Sequence, residues 1–128
     1  WIAPLLIVSQ DLRAPAWLLG LAVASYAMGL FLHFSSDMQK HVALKLHPGQ
    51  LITDGLFARV RNPNYLGELL IYAGFGSLAM SWLPFAVIAL FMALLWVPNM
   101  VKKEKSLSRY PGFADYKRRS KFLIPYLM

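Results

Sequence analysis

Long apolar runs alternate along the chain with short basic or turn-rich stretches, at lengths that suit membrane helices. Residues 1–8 are apolar but well short of the about 20 needed to cross a bilayer, which predicts the end of a helix begun elsewhere. The chain opens on Trp1 with that run already under way and no basic stretch before it. This reads as a processed chain or the C-terminal part of a longer one, not as a cleavable leader. Ser9 to Ala14 is a polar turn, and Pro15 suits the first turn of a new helix. Residues 16–34 are almost wholly apolar and carry Gly20, Ala22, Ser25, Ala27 and Gly29, small residues that let a neighbouring helix approach closely. The helix is expected to continue into the headgroup region, where His33, Asp37 and Lys40 fall at i, i+4 and i+7 and so share a face. Pro48-Gly49 is a breaker. Residues 65–80 and 85–97 form a second and third apolar segment, reversed at Ser81-Trp82-Leu83-Pro84 and ended near Pro98-Asn99. The basic stretch that follows closes on Phe122 to Met128, an apolar end expected to tuck against the bundle.

The pattern predicts an all-α, polytopic integral membrane helix bundle forming one membrane domain over residues 1–128. It has the end of a truncated helix at 1–9, a transmembrane helix at 16–36, a cytosolic connection at 37–62, a transmembrane hairpin at 63–100 and a basic cytosolic tail at 101–128. That makes three transmembrane helices plus the end of a fourth. Composition agrees: 58% of residues are hydrophobic and 15% charged, too much apolar surface for a soluble domain of 128 residues to hide. Charge placement sets the orientation. Of 13 lysines and arginines, four (Lys40, Lys45, Arg59, Arg61) lie in the 37–62 connection and eight follow residue 101, leaving only Arg13 for the other side. This asymmetry is expected to place the connection and the C-terminal tail in the cytoplasm. It accounts for the net charge of +7 without nucleic acid, and makes anionic lipid headgroups the natural partners of the cations. The absence of cysteine excludes disulfide and thiolate chemistry. His33, His41 and His47 are spaced by 8 and 6, which puts no pair on one helix face, so no metal site is expected.

The chemistry concentrates in residues 55–68. Two arginines (Arg59, Arg61), two asparagines (Asn62, Asn64), Tyr65 and Glu68 run straight into an apolar helix. An ionised carboxylate within such a helix costs about 2.5–3.5 kcal/mol on insertion scales, so Glu68 is expected at the water boundary or paired, marking a polar site at a helix N-terminus.

Gly55-Leu56-Phe57 followed by Pro63-Asn64-Tyr65-Leu66-Gly67-Glu68 resembles the C-terminal domain of the steroid 5-alpha-reductase family and its bacterial relatives of unassigned function. Ser36-Asp37, Leu83-Pro84 and the ending from Asp115 to Pro125 match in the same order, so the resemblance spans residues 30–128. It implies NADPH bound from the cytosolic side and a lipophilic substrate. Asn64, Glu68 and Asp37 would hold the cofactor's polar half, with Tyr65 beside them. Arg59, Arg61, Lys103 and Arg109 are candidates for its phosphates, since guanidinium groups match phosphate geometry. The pattern Arg61-Asn62-Pro63-x-Tyr65-x-Gly67, with Glu104 early in the tail, is also similar to isoprenylcysteine and phospholipid methyltransferases, which implies S-adenosylmethionine instead. A third expectation is a non-enzymatic subunit packing its small-residue face against other membrane subunits. The chain departs from the reductases in carrying His33 where they tend to have asparagine, and Lys102-Lys103-Glu104-Lys105 in place of a histidine-rich stretch. No residue announces itself as the acid that polarises a substrate carbonyl; His33 and Tyr72 are both open to that role, and catalytic residues stay unassigned.

Overall fold

The computed structural model describes residues 2–127, so Trp1 and Met128, the outer ends of the predicted first helix and tail, lie outside the described residues. Six α-helices follow one another: α1 (Ile2–Ser9), α2 (Ala16–Leu46), α3 (Pro63–Ser77), α4 (Leu83–Phe91), α5 (Val97–Leu107) and α6 (Phe113–Arg119). A wider-wound turn, Met92–Trp96, joins α4 to α5 without a break, and a single 3-10 turn, Gly55–Phe57, precedes α3.

Two helical stretches, Ala16–Leu46 and Leu83–Leu107, are long and apolar enough to cross a membrane. Only 17% of the most apolar window of each is buried within the chain, so these are not core helices of a soluble fold, and a bilayer is the solvent they suit. The third predicted span, α3, has 15 residues and reaches about 22 Å, so it crosses less of a hydrocarbon core than its neighbours.

Two predicted boundaries are corrected. Where the sequence pattern ends the membrane helix near residue 36 and begins a connection, α2 continues to Leu46. Nothing between Asp37 and Leu46 breaks a helix; the stop comes only at Pro48-Gly49, and His47 caps the end through its backbone N–H on Ala43. Likewise Pro98 does not terminate the return helix, which runs on to Leu107. Proline removes one backbone donor and crowds the carbonyl four residues before it. The preceding turn absorbs this by widening: Val97 N–H bonds to Met92 O, five residues back, and the helix passes through.

The buried residues of α2 are Ala22, Gly29 and Ser36, seven apart, a narrow seam of small side chains that faces α3. Gly29 and Gly67 meet there. A methyl group built on Gly67 would lie 2.6 Å from Gly29 O and 2.6 Å from His33 N; one on Gly29 would lie 2.6 Å from Gly67 O. Only glycine permits this approach. Ser25 Oγ donates across the same seam to Leu70 O at 2.8 Å, and Tyr26 meets Phe75 edge-on at 5.2 Å. The other faces of α2 present Trp17, Leu21, Val23, Phe31 and Phe34 outward.

A second core forms where the C-terminal segment returns to the bundle. Trp96, Met100 and Leu123 are buried together, with Tyr65, Leu66, Leu69 and Phe122 packed around them. The predicted tucking of the apolar end is thus realised through Phe122 and Leu123.

Candidate functional site

His33 is the hinge of the polar cluster. It sits on α2 directly over the start of α3, with Nδ1 3.7 Å from Glu68 Oε1 and 3.4 Å from Asn64 O, and Nε2 3.9 Å from Asp37 Oδ2. The Gly29–Gly67 contact one turn deeper is what brings these helices close enough for the meeting. Side-chain exposures of 25% for His33, 27% for Glu68 and 52% for Asp37 leave the cluster partly exposed, not a sealed ion pair. The Asn64 side-chain amide makes no hydrogen bond to the described residues and remains available to a ligand. Lys103 lies near enough to sense both Asp37 and Lys40. Asn64 and Glu68, singled out on the sequence, are therefore brought beside Asp37, which lies 27 or more residues before them.

The arginine candidates are placed elsewhere. Arg61 is 6% exposed and already engaged: its Nε pairs with Glu104, and its Nη1 donates to Ser120 O at 2.6 Å and to Lys117 O at 3.3 Å. Lys117 Nζ closes the network on Glu104 at 3.1 Å. Lys103 donates to Arg61 O at 2.9 Å and Asn62 Oδ1 at 3.0 Å, which uses two of its three donors. Arg59 is exposed and donates to the hydroxyl of Tyr126, over whose ring it also lies. Arg109 lies over the ring of Tyr110 at the far end of α5, in contact with none of the cluster. Tyr65 packs on Trp96 with ring centres 5.6 Å apart, in the second core.

This network latches the tail. Val60 and Lys121 pair in a short parallel bridge, with Arg61 N–H donating to Lys121 O and Lys121 N–H to Arg59 O, both at 2.8 Å. Asn62 is fully buried and donates to Phe122 O at 2.9 Å. Tyr116 donates its hydroxyl to Phe57 O at 2.8 Å, and burial pushes its pKa up to about 12. A folded-state value above the ordinary one means stability that is complete below about pH 10 and falls as pH rises toward 12. Alkaline titration is accordingly expected to release the tail over that interval, and Tyr116→Phe to flatten the dependence, read by tryptophan fluorescence.

Sequence reasoning named Asn62, and passed over Tyr116 and Ser120 within the matched ending and Gln39 in the helix end, without assigning any of them a role. Asn62 precedes Pro63 and looks like an ordinary helix cap, yet its side chain makes no cap bond and serves the tail instead. Gln39 holds the 3-10 turn: it accepts from Leu56 N–H and donates to Asp54 O, both at 3.0 Å, while Gly55 at φ +55° leaves the room its amide fills. Among the described residues no three His, Asp or Glu side chains are set to ligate a metal ion.

Apolar helices long enough to span, with a carboxylate, imidazole and amide gathered where α2 meets the start of α3, define an integral membrane protein with a polar cluster at one end of its helices. The chain belongs to the family described as 3-oxo-5-alpha-steroid 4-dehydrogenase, which it matches over residues 7–128; that family is one of oxidoreductases. It is also similar to the cobalt-zinc-cadmium resistance protein CzcN of Cupriavidus metallidurans, with 35% identity over 79 residues, 60% of this chain and 36% of that protein. The chain thus spans about a third of the length of that curated relative. No solved structure matches it.

Proposed function

We propose that the chain is the cofactor-binding half of a membrane-embedded, NADPH-dependent reductase acting on a lipid-like unsaturated carbonyl. The observation that carries this reading is the meeting of Asp37, His33, Asn64 and Glu68 at the α2–α3 junction. The donor set suits a nicotinamide ribonucleotide. Carboxylates accept from ribose hydroxyls and a carboxamide NH2, a free asparagine amide offers both donor and acceptor, and Lys40 and Lys103 supply positive charge for phosphate. A reduced nicotinamide, when bound, supplies hydride to the β-carbon of a conjugated carbonyl. The protein's part is to hold that ring: Asn64 and Glu68 orient it, and His33 spaces Glu68 from Asp37 so that both carboxylates remain usable. Arg61 supports the site through Glu104 and the tail. Twelve of 13 basic side chains fall on the same side of the predicted spans, which supports a cytoplasmic side for that end and the tail.

The reading is tested by titrating reduced-nicotinamide fluorescence with the detergent-purified protein. Glu68→Ala and Asn64→Ala are each expected to weaken NADPH binding at least about tenfold, the effect of losing one or two polar contacts, with the unliganded unfolding temperature unchanged. Wild-type affinity in both variants would remove these residues from the site. Binding of S-adenosylmethionine in place of NADPH would favour the methyltransferase reading, and binding of neither a packing subunit.

A further inference from the structure

Imidazole is the side chain whose charge ordinarily changes near neutral pH, and the polar cluster sets one between two carboxylates. The two ring nitrogens of His33 divide them. Nδ1 lies 3.7 Å from Glu68 Oε1 on α3 and 3.4 Å from Asn64 O, while Nε2 lies 3.9 Å from Asp37 Oδ2 on α2. A neutral imidazole carries a single N–H and can donate from one edge only. The imidazolium carries two, so only the charged ring offers a donor to both carboxylates. The other charges around the ring are few. Glu68 is the only charged residue of α3, α2 adds Asp37 and Lys40, and α5 brings Lys103, close enough to act on Asp37 and Lys40. With His33 neutral these two carboxylates and two ammonium groups cancel. With His33 charged the cluster becomes net positive.

We infer that His33 takes up a proton when the nucleotide binds, and that this proton sets the affinity of the site; the inference rests on the nucleotide reading above. The phosphates of a dinucleotide gain little from a cluster whose charges cancel and more from one that carries a net positive charge. The imidazolium also ties Asp37 and Glu68 to one ring, which steadies their outer oxygens for the ligand's hydroxyl and amide donors. Linkage is reciprocal: a ligand that prefers the charged ring raises the ring's hold on its proton. Binding therefore tightens as pH falls through the imidazole range and weakens as pH rises. This property belongs to this chain, because the asparagine that the reductases tend to carry in place of His33 has no proton to take up.

The test is NADPH binding, read by its fluorescence at a series of pH values on detergent-purified wild type, His33→Asn and His33→Gln. Wild-type affinity is expected to be about three- to tenfold tighter near pH 6 than near pH 8, the worth of one added charge at a partly exposed site. Both variants should lose this step. A phosphate monoester on the ligand also titrates near pH 6, but equally for all three proteins, so it cancels in the ratio of wild type to variant. Calorimetry in buffers of different ionisation heat should show proton uptake on binding to the wild type and none with the variants. A purely structural role for His33 would not move that readout. Absence of the step in the wild type, or its survival in either folded variant, would overturn the proposal and leave the nucleotide reading standing. Absence of NADPH binding at every pH would remove both. Should His33→Asn fail to fold, His33→Gln decides alone.

Discussion

Replacing Arg61 by alanine is expected to destabilise the protein by about 3–5 kcal/mol, the usual cost of leaving one member of a buried ion pair without its partner. Arg61 is almost fully buried, and Glu104 is sheltered beside it, with Lys117 as its remaining cation. The substitution also removes the donors that hold Ser120 O and Lys117 O, so the segment beyond α6 loses its side-chain tether along with its charge balance. The damage should be local at first. Limited proteolysis is expected to cut between residues 117 and 127 before the helical bundle unfolds, because α2 and α3 do not depend on the latch for their own packing. A paired replacement, Arg61→Met with Glu104→Leu, should recover part of the loss, since it leaves no uncompensated charge. Equal damage from the double variant would mean that the contacts to Ser120 and Lys117, not the ion pair, carry the tail.

Gly67→Ala is expected to cost about 3 kcal/mol or more and to abolish nucleotide binding in the same step. Overpacking by one methyl group usually costs about 1–3 kcal/mol when side chains can yield. Here the added carbon meets backbone atoms, Gly29 O and His33 N, each at 2.6 Å, so relief requires the helices to part. Parting them stretches the Ser25–Leu70 bond and draws His33 away from Glu68, so that stability and site fail together. Gly20→Ala in α2 is the control. A methyl group there meets nothing within 4 Å, and exchanging glycine for alanine inside a helix is worth up to about 1 kcal/mol in the stabilising direction. Thermal unfolding of the two variants, with NADPH fluorescence on each, separates a seam effect from a general change of helix propensity.

What the sequence makes legible here is whatever depends on local pattern. Apolar run lengths mark the two long helices; the i, i+4 spacing of His33 and Asp37 predicts their contact; Glu68, a carboxylate entering an apolar helix, marks the site. Boundaries were less legible where a local signal competes with its surroundings. Pro98 reads as a helix end, yet the wider turn before it lets the helix continue, and the polar residues after Asp37 read as a connection although nothing among them breaks a helix. The role of Arg61 was hidden for a different reason. An arginine beside a ligand motif looks like a phosphate contact, and only the return of residues 117–122 to the start of α3 shows that its donors are engaged.

Thermal unfolding of the purified wild-type protein, run in parallel with NADPH and with S-adenosylmethionine, tests the central claim most directly. At about 100 times its dissociation constant a ligand stabilises the folded state by about 2.7 kcal/mol. The cofactor reading predicts a rise in unfolding temperature with NADPH and none with S-adenosylmethionine. A rise with S-adenosylmethionine alone, or no rise with either, would contradict it.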